Sequence, residues 1–139
     1  MSTPAELNTM FNHKLIDFID DLEGVIGHLP EYPIVVTSVK MLSHIQENKN
    51  RQVFDKYICE PYEEYILARD EAFLLNKDYD EVERKLGGQE SDASGGGIVS
   101  LLKGVWSTLS KENKASIWEH MQVLLFINRR YKQSCSPSM

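Results

Sequence analysis

Residues 110–130, SKENKASIWEHMQVLLFINRR, carry the pattern that decides the fold. The first half of this stretch is polar, and the second half is dense in apolar side chains. One set of positions follows at offsets of four, three, one and three: Ile117, Met121, Leu124, Leu125 and Asn128. This spacing is typical of a helix with one wide buried face. A helix so apolar in its second half must be enclosed, so we expect the rest of the chain to pack around it.

The residues before this stretch also have helical periodicity. A first helix is predicted after Ser2 or Thr3, either of which can cap it, and Gly27 and Pro30 end it. Its apolar residues recur at intervals of three and four: Leu7, Phe11, Leu15, Phe18, Leu22, Val25 and Leu29. Such a long periodic run predicts a helix with one side in the core.

Several shorter helices are predicted between these two. Pro33 opens a second helix, whose inner face is formed by Val35, Val39, Leu42 and Ile45. A short third helix has Val53, Phe54, Tyr57 and Ile58 as its apolar face. Pro61 starts a fourth helix, and a further short one ends at Leu86. A penultimate helix covers 98–109, and Ser110 caps the last. The prediction is an all-α fold, a single compact bundle of about six or seven helices with a central C-terminal helix.

The domain organisation follows from length and composition. A chain of 139 residues fits one domain, which we place at 1–132. Residues 87–97, GGQESDASGGG, lack large apolar side chains and predict a flexible loop within it. The polar residues 133–139 are predicted to be a frayed tail.

Charge and composition exclude some classes of function. The net charge of −6 argues against extended binding to DNA or RNA, which requires clustered Lys and Arg. No apolar run approaches the ~18 residues of a membrane-spanning helix, and the N-terminus lacks a signal-peptide pattern. The two cysteines, Cys59 and Cys135, show no disulfide framework and indicate a reducing compartment. We therefore expect a protein that is not secreted and has no membrane span.

Two acidic groups resemble a metal site. Paired carboxylates on successive helices hold Mg²⁺ over a diphosphate in all-α nucleoside triphosphate pyrophosphohydrolases. The corresponding acids here are Glu60, Glu63, Glu64, Asp78 and Glu81. The order of these acids does not match that family's pattern. In this sequence, no basic residue near them is placed to bind a phosphate. We expect no enzyme activity and no cofactor, with these acids as the weak metal candidates.

The best candidates for partner binding are basic and aromatic. Arg129, Arg130 and Lys132 form the basic cluster of the chain at the end of the last helix. Cations there complement the helix dipole, and an anionic partner is the alternative interpretation. Tyr62 and Tyr65 could anchor an interface, although aromatic residues at helical spacing more often belong to the core.

Two stretches resemble a known family. The first comprises Leu101, Trp106, Leu109-Ser110 and the helix Ile117-Trp118 to Phe126. The second is Pro61-Tyr62, Ile66-Leu67, Asp70-Glu71 and Phe73. Together they are similar to the C-terminal half of small helical proteins from nucleocytoplasmic large DNA viruses, including those that infect algae and amoebae. The resemblance implies a helical fold and assigns no catalytic residue.

The resemblance sets the functional expectation. We expect a non-enzymatic structural or assembly protein of a large DNA virus, virion-associated as a minor capsid or scaffold-type component. Its partners would be other virion proteins or further copies of itself, in the host cytoplasm and in the particle. A helical adaptor that binds a host or viral protein is the first alternative. A Mg²⁺-dependent nucleotide pyrophosphohydrolase is the second.

Overall fold

The computed structural model describes residues 3–72 and 101–135, and all regular structure in these ranges is helical. The all-α prediction is therefore confirmed. Five α-helices have both ends within these ranges: α1 Pro4–Ile26, α2 Tyr32–Ile45, α3 Lys49–Phe54, α4 Glu60–Leu67 and α5 Lys111–Cys135. The predicted six or seven is slightly too high for this part of the chain. The predicted loop at 87–97, the short helix ending at Leu86 and residues 98–100 lie outside the described residues.

Helix α1 begins at a capping box. The Thr3 hydroxyl accepts a hydrogen bond from the Glu6 backbone N–H, and the Glu6 carboxylate accepts one from the Thr3 N–H. These two bonds satisfy backbone donors that a helix start leaves free. The predicted start at Thr3 is confirmed, and α1 buries a continuous apolar face: Leu7, Phe11, Leu15, Phe18, Ile19, Leu22 and Ile26.

Helix α5 packs mainly against α1, and it also contacts α4. Ser110 caps it as predicted, because its hydroxyl accepts a hydrogen bond from the Asn113 backbone N–H at 3.1 Å. The predicted apolar stripe is fully buried between these helices: Ile117, Met121, Leu124, Leu125 and Asn128. The helix continues to Cys135, beyond the expected boundary at 132. Lys132 and Gln133 are good helix formers, so the polar composition did not end it.

Helices α3 and α4 are parts of one continuous helical segment. Pro61 lies in the first turn of α4, as predicted, but the break expected before it is absent. A π-helical turn at Asp55–Cys59 joins them, and the Glu60 backbone N–H donates to the Asp55 carbonyl five residues earlier. Proline has no N–H and its ring clashes with the carbonyl four residues before it. The wider π turn accommodates Pro61 at this point without ending the helix.

Helix α2 is only partly covered by the bundle. Val35 and Val39 are buried against it, as predicted. Ile45 was predicted to face the core, but it is 68% exposed. Its position is rotated away from Val39, towards Ile34 and Met41, which are also exposed. The two successive three-residue steps from Val39 to Ile45 were therefore misread as continuing a single inner face.

Residues 101–109 close the bundle beside α5. Residues 101–105 are helical, and a 3₁₀ turn follows at Trp106–Thr108. The Trp106 ring is buried and meets the Trp118 ring edge-on, with centroids 5.4 Å apart. Its indole N–H donates to the Glu71 carboxylate. Lys114 Nζ lies 3.3 Å from the same carboxylate, so Glu71 connects the end of α4 to the start of α5.

These contacts predict an acid-sensitive contribution to stability. Hydrogen bonds from Trp106 and then Lys114 lower the pKa of Glu71. A carboxyl with a depressed folded-state pKa stabilises the fold above its unfolded pKa, and the contribution is lost as the pH falls through the folded value. We expect Glu71→Gln to lower the urea midpoint at pH 7, with a smaller difference from the wild type at about pH 3.

Urea titrations at both pH values measure this effect. Glu64→Gln is the matched control, because Glu64 is an exposed carboxylate on α4, seven residues before Glu71. An equal loss at both pH values for Glu71→Gln would show that the carboxylate charge is not the source of the stabilisation.

Candidate functional site

A charged cleft lies where the π turn and α4 face the last turns of α5. Its volume is about 330 Å³. The residues that line it are Asp55, Cys59, Glu60, Glu63, Leu125, Asn128, Arg129, Lys132 and Gln133. It therefore brings together two predicted metal candidates, Glu60 and Glu63, with two predicted partner-binding residues, Arg129 and Lys132. The sequence identified both sets and gave no indication that they face each other.

The charges across this cleft are paired. The Arg129 guanidinium donates to the Glu63 carboxylate through two of its nitrogens. Lys132 Nζ donates to Asp55 Oδ1 at 3.1 Å. That hydrogen bond raises the pKa of Lys132, with smaller charge effects from Asp55 and Glu60. Two of the three predicted partner-binding cations are thus held by acids of the neighbouring helical segment.

The acids predicted as metal ligands are not assembled into a site within the described residues. Glu60 and Glu63 line the charged cleft, but Glu63 is bound to Arg129. Glu64 is exposed and is not among the lining residues. Across residues 3–72 and 101–135, no three His, Cys, Asp or Glu side chains are grouped closely enough to hold a metal ion. Asp78 and Glu81 lie outside the described residues.

Cys59 forms part of the floor of the charged cleft and is buried. Burial raises the pKa of its thiol strongly, and the nearby carboxylates of Asp55 and Glu63 raise it further. The thiolate is the nucleophilic form of cysteine, so a thiol held neutral at pH 7 is a poor nucleophile. The geometry therefore disfavours covalent catalysis by Cys59.

We expect the two cysteines to differ sharply in reactivity. Cys135 is exposed, so an aromatic disulfide reagent at pH 8 should modify it rapidly. Cys59 should react only after unfolding in denaturant. Counting released chromophore per chain, with Cys135→Ser and Cys59→Ser as paired controls, measures each thiol separately. Rapid modification of Cys59 in the folded Cys135→Ser variant would contradict this expectation.

The predicted aromatic candidates differ in exposure. Tyr62 is only 9% exposed and belongs to the core, whereas Tyr65 is 38% exposed. Their ring centroids lie 6.1 Å apart. Arg130, the third basic candidate, is exposed on α5 and points away from the charged cleft. Tyr65 is therefore the accessible aromatic candidate, and Arg130 is the basic candidate that does not line the charged cleft.

A buried polar cluster lies deeper in the fold, centred on Arg51 of α3. This side chain is only 5% exposed. Its Nε donates to Asn8 Oδ1 at 2.9 Å, and one terminal nitrogen donates to Asn128 Oδ1 at 3.0 Å. Its guanidinium carbon lies 3.6 Å from the centre of the Tyr131 ring. The Arg51 cluster, defined as Asn8, Arg51, Asp55, Asn128 and Tyr131, thus joins α1, α3 and α5.

The Arg51 cluster continues into the charged cleft. Asn128 Nδ2 donates to Asp55 Oδ1 at 2.8 Å, and Lys132 donates to the same oxygen. Asp55 therefore accepts hydrogen bonds from two successive turns of α5, through Asn128 and Lys132. A buried guanidinium needs its donors paired and a compensating charge nearby. Here Asn128 links Arg51 to the carboxylate of Asp55, so the arrangement orders the helices at the base of the cleft.

Sequence reasoning missed Arg51 and Asp55, because nothing local distinguishes them from surface charges. A signal existed on their partners. Asn128 falls within the apolar stripe of the last helix, and Asn8 lies beside Leu7 on the first. Amide side chains on a buried face require hydrogen-bond partners, so they indicate a polar contact between helices.

Comparison with known protein families, with characterised proteins and with solved structures finds no match to this chain. Within the described residues, none of the helices combines the length and the apolar character needed to cross a lipid bilayer.

Proposed function

We propose that this chain is a non-enzymatic structural or assembly protein of a large DNA virus, acting through contacts with other proteins. It would be virion-associated, as a minor capsid or scaffold-type component, and present in the host cytoplasm during infection. The viral assignment rests on the resemblance carried by the Trp106, Trp118 and Pro61-Tyr62 segments. The mode of action rests on an exposed apolar stripe of α2.

This α2 stripe consists of Ile34, Met41 and Ile45. Their exposed fractions are 65%, 52% and 68%. Spacings of seven and four place them on one side of the helix, next to the buried face that contains Val35 and Val39. Exposed apolar side chains that lie in a row on one helix are typical of a protein-interaction surface.

The α2 stripe fits an amphipathic helix of another virion protein. A helix laid along α2 would place apolar side chains over Ile34, Met41 and Ile45 at matching intervals. The occupant proposed here is thus a partner helix with an apolar face.

The charged cleft supports a structural role over a catalytic one. Its carboxylates at 55 and 63 are bound to cations, and its thiol is buried and neutral. Residues committed to internal ion pairs are poor candidates for acid–base or nucleophilic chemistry. This arrangement favours an assembly protein over the Mg²⁺-dependent hydrolase.

Mass spectrometry of purified particles of the encoding virus tests this proposal. We expect the chain in the particles, and chemical cross-linking should join α2 to another virion protein. Ile45→Glu should reduce incorporation, while the control Met10→Glu, at an exposed apolar residue of α1, should not. Absence from particles, together with a stable host partner in infected cytosol, would overturn the proposal in favour of the adaptor.

A further inference from the structure

The outer ridge of α5 carries a second set of exposed residues. Glu119, Val123, Phe126 and Arg130 are all exposed, and Phe126 is 47% exposed. Their spacings of four, three and four place them on one line along the helix, opposite the buried residues Met121, Leu124 and Asn128. This α5 ridge, 119–130, is therefore the outermost line of the helix.

The neighbouring helices leave the ridge open. On one side of it, Gln122 Nε2 donates to the Ile66 carbonyl of α4 at 3.1 Å. On the other side, His120 Nε2 lies 2.6 Å from Asp21 Oδ2 of α1. Because α4 and α1 meet α5 through these flanking positions, the line between them faces away from both helices.

Two copies of the ridge that run in opposite directions place complementary residues opposite each other. In an antiparallel pair of α5 helices related by a two-fold axis, positions that sum to 249 lie opposite each other. Glu119 then faces Arg130 of the second copy, and Val123 faces its Phe126. A two-fold interface uses the same patch twice, so both contacts occur on each side of the axis.

This match includes charge as well as shape. Two Glu–Arg pairs would close the ends of the contact, and four apolar side chains would fill its centre. One turn further out, Ser116 would face Gln133, so polar groups again meet polar groups. The alternating three- and four-residue spacing is that of helices that pack side by side in coiled coils. A parallel pair would instead place Glu119 against Glu119 and Arg130 against Arg130.

We propose that two copies of this chain associate through the α5 ridge, in an antiparallel arrangement with Glu119 of each copy paired to Arg130 of the other. The helix–helix contact, which extends from Ser116 to Gln133, is about 25 Å long at 1.5 Å per residue. With only four apolar side chains at its centre, the dimer is expected to be weak, with a dissociation constant of about 10–100 µM. A solution dimer of this kind goes beyond the proposed function and does not depend on the chain's biological role.

Sedimentation equilibrium of the full chain tests the dimer directly. We expect a monomer–dimer equilibrium for the wild type, measured from about 5 to 500 µM. Phe126→Glu should weaken it at least about tenfold, because it places a carboxylate in the apolar centre. Met10→Glu is the matched control on α1 and should leave the equilibrium unchanged. A wild-type chain that stays monomeric over the whole range would overturn the proposal.

Charge reversal tests the antiparallel pairing. Glu119→Arg alone and Arg130→Glu alone should each weaken the dimer about tenfold, since each places like charges together at both ends. The double variant restores both opposite-charge pairs and should return to within about threefold of the wild type. Single variants that weaken the dimer without rescue by the double variant would overturn this pairing. These positions are exposed, and circular dichroism of each variant checks that the helices remain folded.

Discussion

Arg51→Met should lower the free energy of unfolding by about 3–5 kcal/mol, the range for breaking a buried polar network. Methionine keeps much of the aliphatic length of arginine and removes every donor. Asn8 Oδ1 and Asn128 Oδ1 would lose the bonds of 2.9 and 3.0 Å that they accept from Arg51. Each buried acceptor left unpaired costs about 1–3 kcal/mol. The stacking of the guanidinium on Tyr131 would also be lost.

Urea denaturation followed by circular dichroism measures this loss. Arg130→Met is the matched control, because Arg130 is exposed on α5; at chain concentrations of about 1 µM, where the proposed dimer is dissociated, its effect should stay within about 0.5 kcal/mol. Arg51→Lys should recover only part of the loss, since an ammonium cannot donate to both amides in the planar geometry of a guanidinium. An Arg51→Met variant within about 1 kcal/mol of the wild type would mean that the cluster contributes little to stability.

The sequence was sufficient for features that depend on local periodicity. Helix α1 and the buried face of α5 follow from apolar residues at intervals of three and four, and Thr3 and Ser110 follow from capping chemistry. The same reasoning placed Pro61 in the first turn of α4 but missed the π turn before it, because a proline is compatible with either a new helix start or a π turn within a helix. The structure selects the second through the hydrogen bond from Glu60 to Asp55.

The charged cleft could be predicted only in part. Glu63 and Arg129 were both selected from the sequence, yet their pairing joins residues 66 positions apart and depends on how α4 lies along α5. The Arg51 cluster depends even more on packing, since its central arginine bonds to residues 43 and 77 positions away. Periodicity identifies which side of a helix is buried, but it does not specify which buried polar groups meet.

Asn50 is a fully buried polar residue at the junction of α1, α2 and α3. The side chain has no exposed surface, and its Nδ2 donates to the Val39 carbonyl at 3.0 Å and to Asn12 Oδ1 at 3.3 Å. Its Oδ1 has no hydrogen-bond partner within the described part of the chain. Asn50 therefore contributes through its donor group alone, and it connects α3 to both α1 and α2.

Asn50→Asp should consequently destabilise the fold at pH 7 by about 3 kcal/mol or more, although it changes almost no volume. The new carboxylate would face two oxygen acceptors without a donor. Burial next to these oxygens should raise its folded-state pKa above the unfolded value of about 3.9. An acid with a raised folded pKa destabilises increasingly as the pH rises from the unfolded towards the folded value. The variant should therefore recover stability between about pH 7 and pH 4.

Urea titrations of Asn50→Asp at pH 7, 5.5 and 4 test both the size and the direction of this effect. Asn48→Asp is the matched control: Asn48 is exposed, and its Oδ1 accepts a hydrogen bond from Asn8, a role that a carboxylate can keep. Its stability should change by less than about 0.5 kcal/mol. A loss at Asn50→Asp that does not shrink on acidification would show that the charge of the new carboxylate is not its cause. Recovery at low pH would instead show that the junction of α1, α2 and α3 requires a neutral side chain at position 50 that donates a hydrogen bond.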